Sequence, residues 1–140
     1  MKKTDREEMD RDIATFSCIA CGVDIVEIED IAQSIKVGGE QFLQRVYTQS
    51  ELMFCNGRLP QLAARFAAKE AVSKVLGTGM RGISLHDIEI VSNRRGRPSI
   101  CLNGRAAAKA QRLRLQEWNV SLSHTKSFAV AFVVSICRNK

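Results

Sequence analysis

A chain of 140 residues with a net charge of +6 is long enough for one domain with its own core. No apolar run approaches the ~20 residues of a membrane-spanning helix, and the charged opening, Met1 to Asp12, has no apolar stretch of the kind that directs secretion. The cytoplasm is therefore the expected address. The charge is unevenly placed: residues 1–57 hold six basic and eleven acidic side chains, residues 58–140 fifteen and four, so the C-terminal portion should attract polyanions.

In chain order, residues 1–16 are polar and charged and read as an N-terminal extension, with 17–140 as a single domain. Cys18 to Val26 is a short apolar run expected to be a buried first strand carrying Asp24. A helix is expected from about Glu27 to Ile35, stopped by Gly38-Gly39, followed by helical pieces over 39–46 and 48–54. Thr48 followed three residues later by Glu51 is a capping-box pattern. Pro60 and Gly77 then bracket a central helix. Ile88 to Val91 and Pro98 to Leu102, around Asn93-Arg94-Arg95-Gly96, predict a hairpin. Arg105 to Glu117 reads as a basic helix, and 119–123 with 128–136 as two final strands. The order implies an α+β fold with mainly antiparallel strands on a long central helix, and it suggests two similar halves.

The central helix holds the sharpest anomaly. Ten of its seventeen residues from Pro60 to Leu76 are apolar and surround the axis, which marks a buried helix. Yet Arg65, Lys69, Glu70 and Lys74 lie on it, and buried charges need partners. Small neighbours around Glu70 would let a ligand or another backbone approach closely. The ordinary alternative is ion pairing, of Glu70 with Lys74 one turn on, or of Asp24 and Glu70 with Lys74 or Arg65. Asp24 and Glu70, two carboxylates in apolar runs, are hard oxygen donors of the type Mg²⁺ takes together with phosphate oxygens. Spacing alone leaves the choice open.

Other motifs are weaker. Gly77-Thr78-Gly79-Met80-Arg81-Gly82 fits a dinucleotide fingerprint by letter, but it ends a helix where the fingerprint must begin one. Ser123 and His124 are adjacent on a strand, so they point to opposite faces and make a poor nucleophile-base pair. Five cysteines do not form a disulfide framework, and Cys18-Ile19-Ala20-Cys21 lacks the further ligands of a zinc site. Cys101 and Cys137, in apolar runs, are expected in the core.

Gly22-Val23-Asp24-Ile25-Val26-Glu27-Ile28, Val46-Tyr47-Thr48-Gln49-Ser50-Glu51-Leu52, Arg65-Phe66-Ala67-Ala68-Lys69-Glu70-Ala71 through Lys74, Gly96-Arg97-Pro98 and Leu122-Ser123-His124-Thr125 together resemble the holo-acyl-carrier-protein synthases, the short 4′-phosphopantetheinyl transferases. The resemblance spans about residues 20–136. It implies transfer of the phosphopantetheine arm of coenzyme A to a serine of apo acyl carrier protein, in fatty acid biosynthesis, releasing adenosine 3′,5′-bisphosphate. It also implies that Asp24 and Glu70 hold Mg²⁺ with the pyrophosphate. Glu70 would take the serine proton, directly or through a water, and Lys74 would serve the leaving phosphate.

By the same resemblance Arg65, His124 and Thr125 would bind the 3′-phosphate end, and Gly96, Arg97 and Pro98 would border the nucleotide. A homotrimer with sites between subunits is implied as well. The chain departs from the family at Asp30, where an arginine commonly docks the acidic carrier, and in its N-terminal extension. A basic nucleic-acid-binding domain is the alternative, suggested by Arg94, Arg95, Arg97 and the Arg105-Lys109-Arg112 face, but an aromatic content of 6% offers few stacking platforms. A carrier-binding module without activity is disfavoured by the intact Asp24, Glu70 and Lys74.

Overall fold

The computed structural model describes residues 18–79 and 81–137; the expected extension over 1–16 lies outside them. Ten residues, Cys18–Glu27, form β1. It is followed by α1 (Ile28–Val46), α2 (Gln49–Cys55) and α3 (Leu59–Leu76). A 3₁₀ turn, Leu85–Asp87, leads into the hairpin β2 (Ile88–Ser92) and β3 (Pro98–Leu102). The chain closes with α4 (Gly104–Arg112), β4 (Leu115–His124) and β5 (Phe128–Cys137). All pairings are antiparallel: β1, β5 and β4 form one sheet in that order, and β2 pairs with β3 in a second. This is the α+β architecture the sequence predicts, with the three-stranded sheet packed on α3.

Local chemistry sets most boundaries where expected. Thr48 and Glu51 form the reciprocal capping box, each side chain accepting from the other's backbone N–H at 3.3 and 2.8 Å. Pro60 sits in the first turn of α3, and left-handed Gly77 (φ 74°) ends it. Gly39 (φ 55°, ψ −141°) is non-helical and breaks α1 into two helical pieces joined at a kink, as expected, because only glycine adopts that conformation without strain. The basic helix is shorter than expected. It stops at Arg112, Arg114 turns left-handed (φ 60°), and β4 starts at Leu115 with an irregularity before Glu117.

The core is divided by α3. One side packs Ala67, Ala68, Ala71, Val72 and Leu76 against Ile88, Ile90, Ala131 and Val133; the other packs Leu62, Ala63 and Ala64 against Ile31, Phe42, Val46 and Tyr47. Burial all round the axis explains the missing apolar stripe. The approach of β1 is unusually close: a Cβ on Gly22 would lie 2.2 Å from the Ala71 carbonyl oxygen. Cys101 is exposed, contrary to expectation. It alternates with Ile100 and Leu102 on β3, and in a two-stranded hairpin only the latter face meets the core. Cys18 and Cys21, three apart on one strand, face opposite sides and cannot share an ion; among the described residues no cluster of three or more His, Cys, Asp or Glu could hold a metal.

Candidate functional site

Two clusters grow from α3. The first joins its C-terminal half to the middle of β1. Strand alternation puts Gly22 and Asp24 on the same face, and because Gly22 lets β1 settle on the Ala71 backbone, Asp24 is carried down beside the helix. Lys74, one turn beyond Glu70, donates to Asp24 Oδ1 at 3.1 Å and to the Val23 carbonyl at 2.8 Å. The ion pair thus joins residues fifty apart: of the pairings of Asp24 and Glu70 with Lys74 or Arg65 that the sequence left open, the structure forms Asp24–Lys74. The lysine side chain is 53% exposed and so free to reorient.

Glu70 is half-buried and makes no ion pair among the described residues. Burial pushes its carboxyl pKa up, the nearby Asp24 charge adds to that, and Lys74 partly offsets it. Two carboxylates close enough for their charges to interact, with an ammonium paired to one of them, are a donor set that suits a hard divalent cation. Two protein carboxylates, completed by water and phosphate oxygens, meet the requirement of Mg²⁺.

The second cluster surrounds a cleft of about 440 Å³ lined by α3, the β2–β3 turn and the end of β4. Arg65, Gly96, Arg97, Pro98 and His124, all singled out from the sequence, meet there. Asn93 fixes the turn, its Oδ1 accepting from the Arg95 and Arg97 backbone N–H groups at 2.9 Å each. His124 lies on the same face of β4 as Val120 and Leu122, which also line the cleft. Thr125, the remaining expected contact, does not line it; its hydroxyl oxygen accepts from the N–H groups of Ser127 and Phe128 and so holds the β4–β5 turn.

Arg65 is only 3% exposed. Its guanidinium donates to Ser92 Oγ at 2.6 Å and stacks on Phe54, 4.2 Å from the ring centre, while its Nε has no hydrogen-bond partner. No carboxylate lies within ion-pairing distance of it among the described residues. A buried cation without an anion is unfavourable by several kcal/mol on the order of its desolvation, and burial correspondingly lowers its pKa. An anionic ligand in the adjoining cleft would relieve that. Sequence reasoning did not find Phe54 and Ser92, because their meeting with Arg65 depends on how α2 and β2 pack against α3.

Lys69 has a different task. Fully buried, it donates to Glu51 Oε1 at 2.7 Å and to the carbonyls of Leu85 and Ile88. Glu51 also accepts from the N–H groups of Thr48 and Ile90. This network ties α2, α3 and β2 together behind the Arg65 cleft and leaves no free group for a ligand.

The family model for the 4′-phosphopantetheinyl transferase superfamily matches residues 20–133. The chain is 47% identical over 116 residues to a holo-acyl-carrier-protein synthase of Gloeobacter violaceus, covering 80% of this chain and 88% of that one. It is 45% identical over 120 residues to the synthase of Koribacter versatilis, covering 83% and 96%. Among solved structures, the Helicobacter pylori holo-acyl-carrier-protein synthase in complex with coenzyme A superposes with a TM-score of 0.75 at 34% identity, covering 82% of this chain and 98% of that one. The Neisseria meningitidis synthase gives 0.74 at 35%, covering 83% and 96%.

Proposed function

The chain belongs to the 4′-phosphopantetheinyl transferase superfamily, and from that premise we propose how its two clusters divide the work of a holo-acyl-carrier-protein synthase. The protein transfers the 4′-phosphopantetheine group of coenzyme A to apo acyl carrier protein. In this reaction a serine oxygen attacks the phosphorus bearing the pantetheine arm. The bond from that phosphorus to the bridging oxygen breaks, and adenosine 3′,5′-bisphosphate leaves.

The observation that carries the assignment is the convergence of Asp24, Glu70 and Lys74 from segments fifty residues apart. Asp24 and Glu70 would hold Mg²⁺, which when bound neutralises charge on the pyrophosphate. Glu70, whose carboxyl pKa is raised by burial, accepts the serine proton. Lys74 swings from Asp24 to the departing phosphate, where a positive charge stabilises the transition state. At the other end, Arg65, Arg97 and His124 take the 3′-phosphate while Gly96 and Pro98 border the nucleotide. Thr125 contributes by holding the turn that positions His124.

Arg65 and Glu70 lie five residues apart, ~140° around α3, so the clusters open on different flanks. We read this as half-sites completed by neighbouring subunits. The sheet face opposite α3 supports assembly: Ile19, Val23 and Ile25 on β1 stand 64, 53 and 64% exposed beside Phe128 and Phe132 of β5 at 43 and 47%. A contiguous apolar face of that kind marks an interface, and a homotrimer would cover it. No helix among the described residues is long and apolar enough to cross a membrane. Fatty acid biosynthesis in the cytoplasm is the setting proposed.

The test uses purified protein, coenzyme A, apo carrier and Mg²⁺, with the carrier's intact mass as readout. The carrier should gain the phosphopantetheine mass only when the metal is present, and Glu70→Gln should lose at least ~100-fold in turnover. Near-normal turnover by that variant, or full activity in chelator, would refute the metal and base assignments. Light scattering that showed a monomer at assay concentration would refute the shared-site reading.

A further inference from the structure

The end of the three-stranded sheet opposite the β4–β5 turn brings two cysteines together. Cys18, the first residue of β1, lies directly across the ladder from Cys137, the last of β5. Opposed residues of antiparallel strands point to the same face with their Cα atoms about 4.5–5.5 Å apart, inside the roughly 4.4–6.8 Å that a disulfide spans. The two side chains are hydrogen-bonded to each other, and the Cys18 sulfur also meets the Cys137 backbone N–H. Both are present as thiols.

Packing does not account for the pair. A cysteine thiol behaves as a small apolar group and is among the side chains most often buried, yet Cys18 is exposed and Cys137 only half-buried. The other cysteines have no such counterpart: Cys21 lies across from Val134, Cys101 across from Glu89, and Cys55 is buried on α2. Cys18 and Cys137 also stand at the two ends of the described chain, so a bond between them would close nearly all of it into one loop. The strand held in that way is the one that carries Asp24, six residues further on.

We propose that Cys18 and Cys137 form a redox-modification site, closing to a cross-strand disulfide by exchange with a low-molecular-weight disulfide. The exposed Cys18, as thiolate, attacks one sulfur of the small disulfide; that S–S bond breaks, one reagent thiolate leaves, and a mixed disulfide forms on Cys18. The Cys137 thiolate then attacks the Cys18 sulfur and expels the second reagent thiolate. Two protein thiols are oxidised, the small disulfide is reduced to two thiols, and the protons given up by the cysteines end on those thiols. The hydrogen bond with Cys137, more than desolvation, raises the Cys18 pKa and keeps most of this thiol protonated near neutral pH. In a reducing setting the pair therefore rests as thiols and cross-links under oxidative load. Because the bond joins residues already paired, it constrains the unfolded chain without moving β1.

The test incubates the full chain with oxidised glutathione at about pH 8.5, where thiolate forms. Remaining thiols are then blocked, linked peptides are mapped by mass spectrometry, and Tm is measured with and without reductant. A peptide joining Cys18 to Cys137 should appear, with the intact mass lower by two hydrogens. Tm should rise by at least ~5 °C and return on reduction. Cys18→Ser and Cys137→Ser should each lose the link and the rise in Tm, whereas Cys21→Ser should keep both.

Glutathione that stays on Cys18 with no link to Cys137 overturns the proposal, as does a cross-link through Cys21 or Cys101 in its place. A Cys18–Cys137 link that leaves Tm unchanged or lowers it overturns it too, since the bond would then form only by displacing the strands. Peptide mapping needs the wild-type chain alone, so it decides the matter even where a serine variant fails to fold.

Discussion

Lys69→Met tests whether the buried network behind the Arg65 cleft supports the fold. The substitution keeps most of the apolar stem and removes an ammonium that serves Glu51 and two carbonyl oxygens in a fully buried position. Glu51 would be left as a buried carboxylate with only the N–H groups of Thr48 and Ile90, at 2.8 and 3.0 Å. Breaking a buried pair by removing one partner costs about 3–5 kcal/mol, a large part of the ~5–15 kcal/mol available to a domain. For a chain of this size that is a fall of roughly 10–20 °C in Tm.

The double variant Lys69→Met/Glu51→Gln, which removes the stranded charge but keeps an acceptor for the capping N–H, should recover at least ~1 kcal/mol over the single one. Thermal and urea unfolding of the four members of the cycle supply the measurement. A loss below ~1 kcal/mol in the single variant, or a double variant no better than it, would show that the charge is already hydrated or compensated.

Gly22→Ala places a Cβ 2.2 Å from the Ala71 oxygen, so β1 must retreat by ~1 Å, at a cost of about 1–3 kcal/mol. Because Asp24 moves with it, turnover should fall ~10-fold or more, and a folded variant with normal turnover and Tm would show that the close approach does not set the site. The raised pKa of Glu70 means that its folded form holds a proton more tightly than the unfolded chain. Its stabilising contribution is present below the ordinary value of 4.5 and is lost as pH rises through the raised value. Glu70→Gln should therefore gain Tm relative to wild type between acid and neutral pH in chelator, and a pH-independent difference would contradict this. Arg65→Lys loses the planar stack on Phe54 and the guanidinium hydrogen bond to Ser92, so the KM for coenzyme A should rise ~10-fold with kcat nearly unchanged. A change confined to kcat would place Arg65 elsewhere in the reaction.

The sequence made legible what depends on neighbours along the chain. Thr48 with Glu51, Pro60 and Gly77 announce their helix ends because a cap or a left-handed turn is chemistry within a few residues. The alternation on β3 was equally visible, but not which face met the core, so Cys101 was expected inside and lies outside. The basic helix was drawn too long because Arg112 to Glu117 keeps helix-friendly composition, while the left-handed Arg114 depends on β4 joining β5. The candidate site divides the same way. Asp24, Glu70 and Arg65 stand out as charges in apolar runs and the Gly96-Arg97-Pro98 turn only through the family resemblance, whereas the role of Lys69 and the stacking of Phe54 require partners eighteen and eleven residues away to be brought together by packing.

Because Arg65, Glu70 and Lys74 are borne on one uninterrupted helix, the spacing of their functional ends is a fixed ruler. Five residues set about 7.5 Å of axial travel between the 3′-phosphate contact and the carboxylate. A single-residue insertion or deletion between them would turn everything on one side by ~100°, taking Lys74 away from Asp24 or Arg65 out of its cleft. Side chains along this stretch can change by small steps, but its length cannot. Variation in substrate reach among relatives should accordingly appear in the β2–β3 turn or after Gly77, where an added residue changes the rim of a cleft without shifting the ruler.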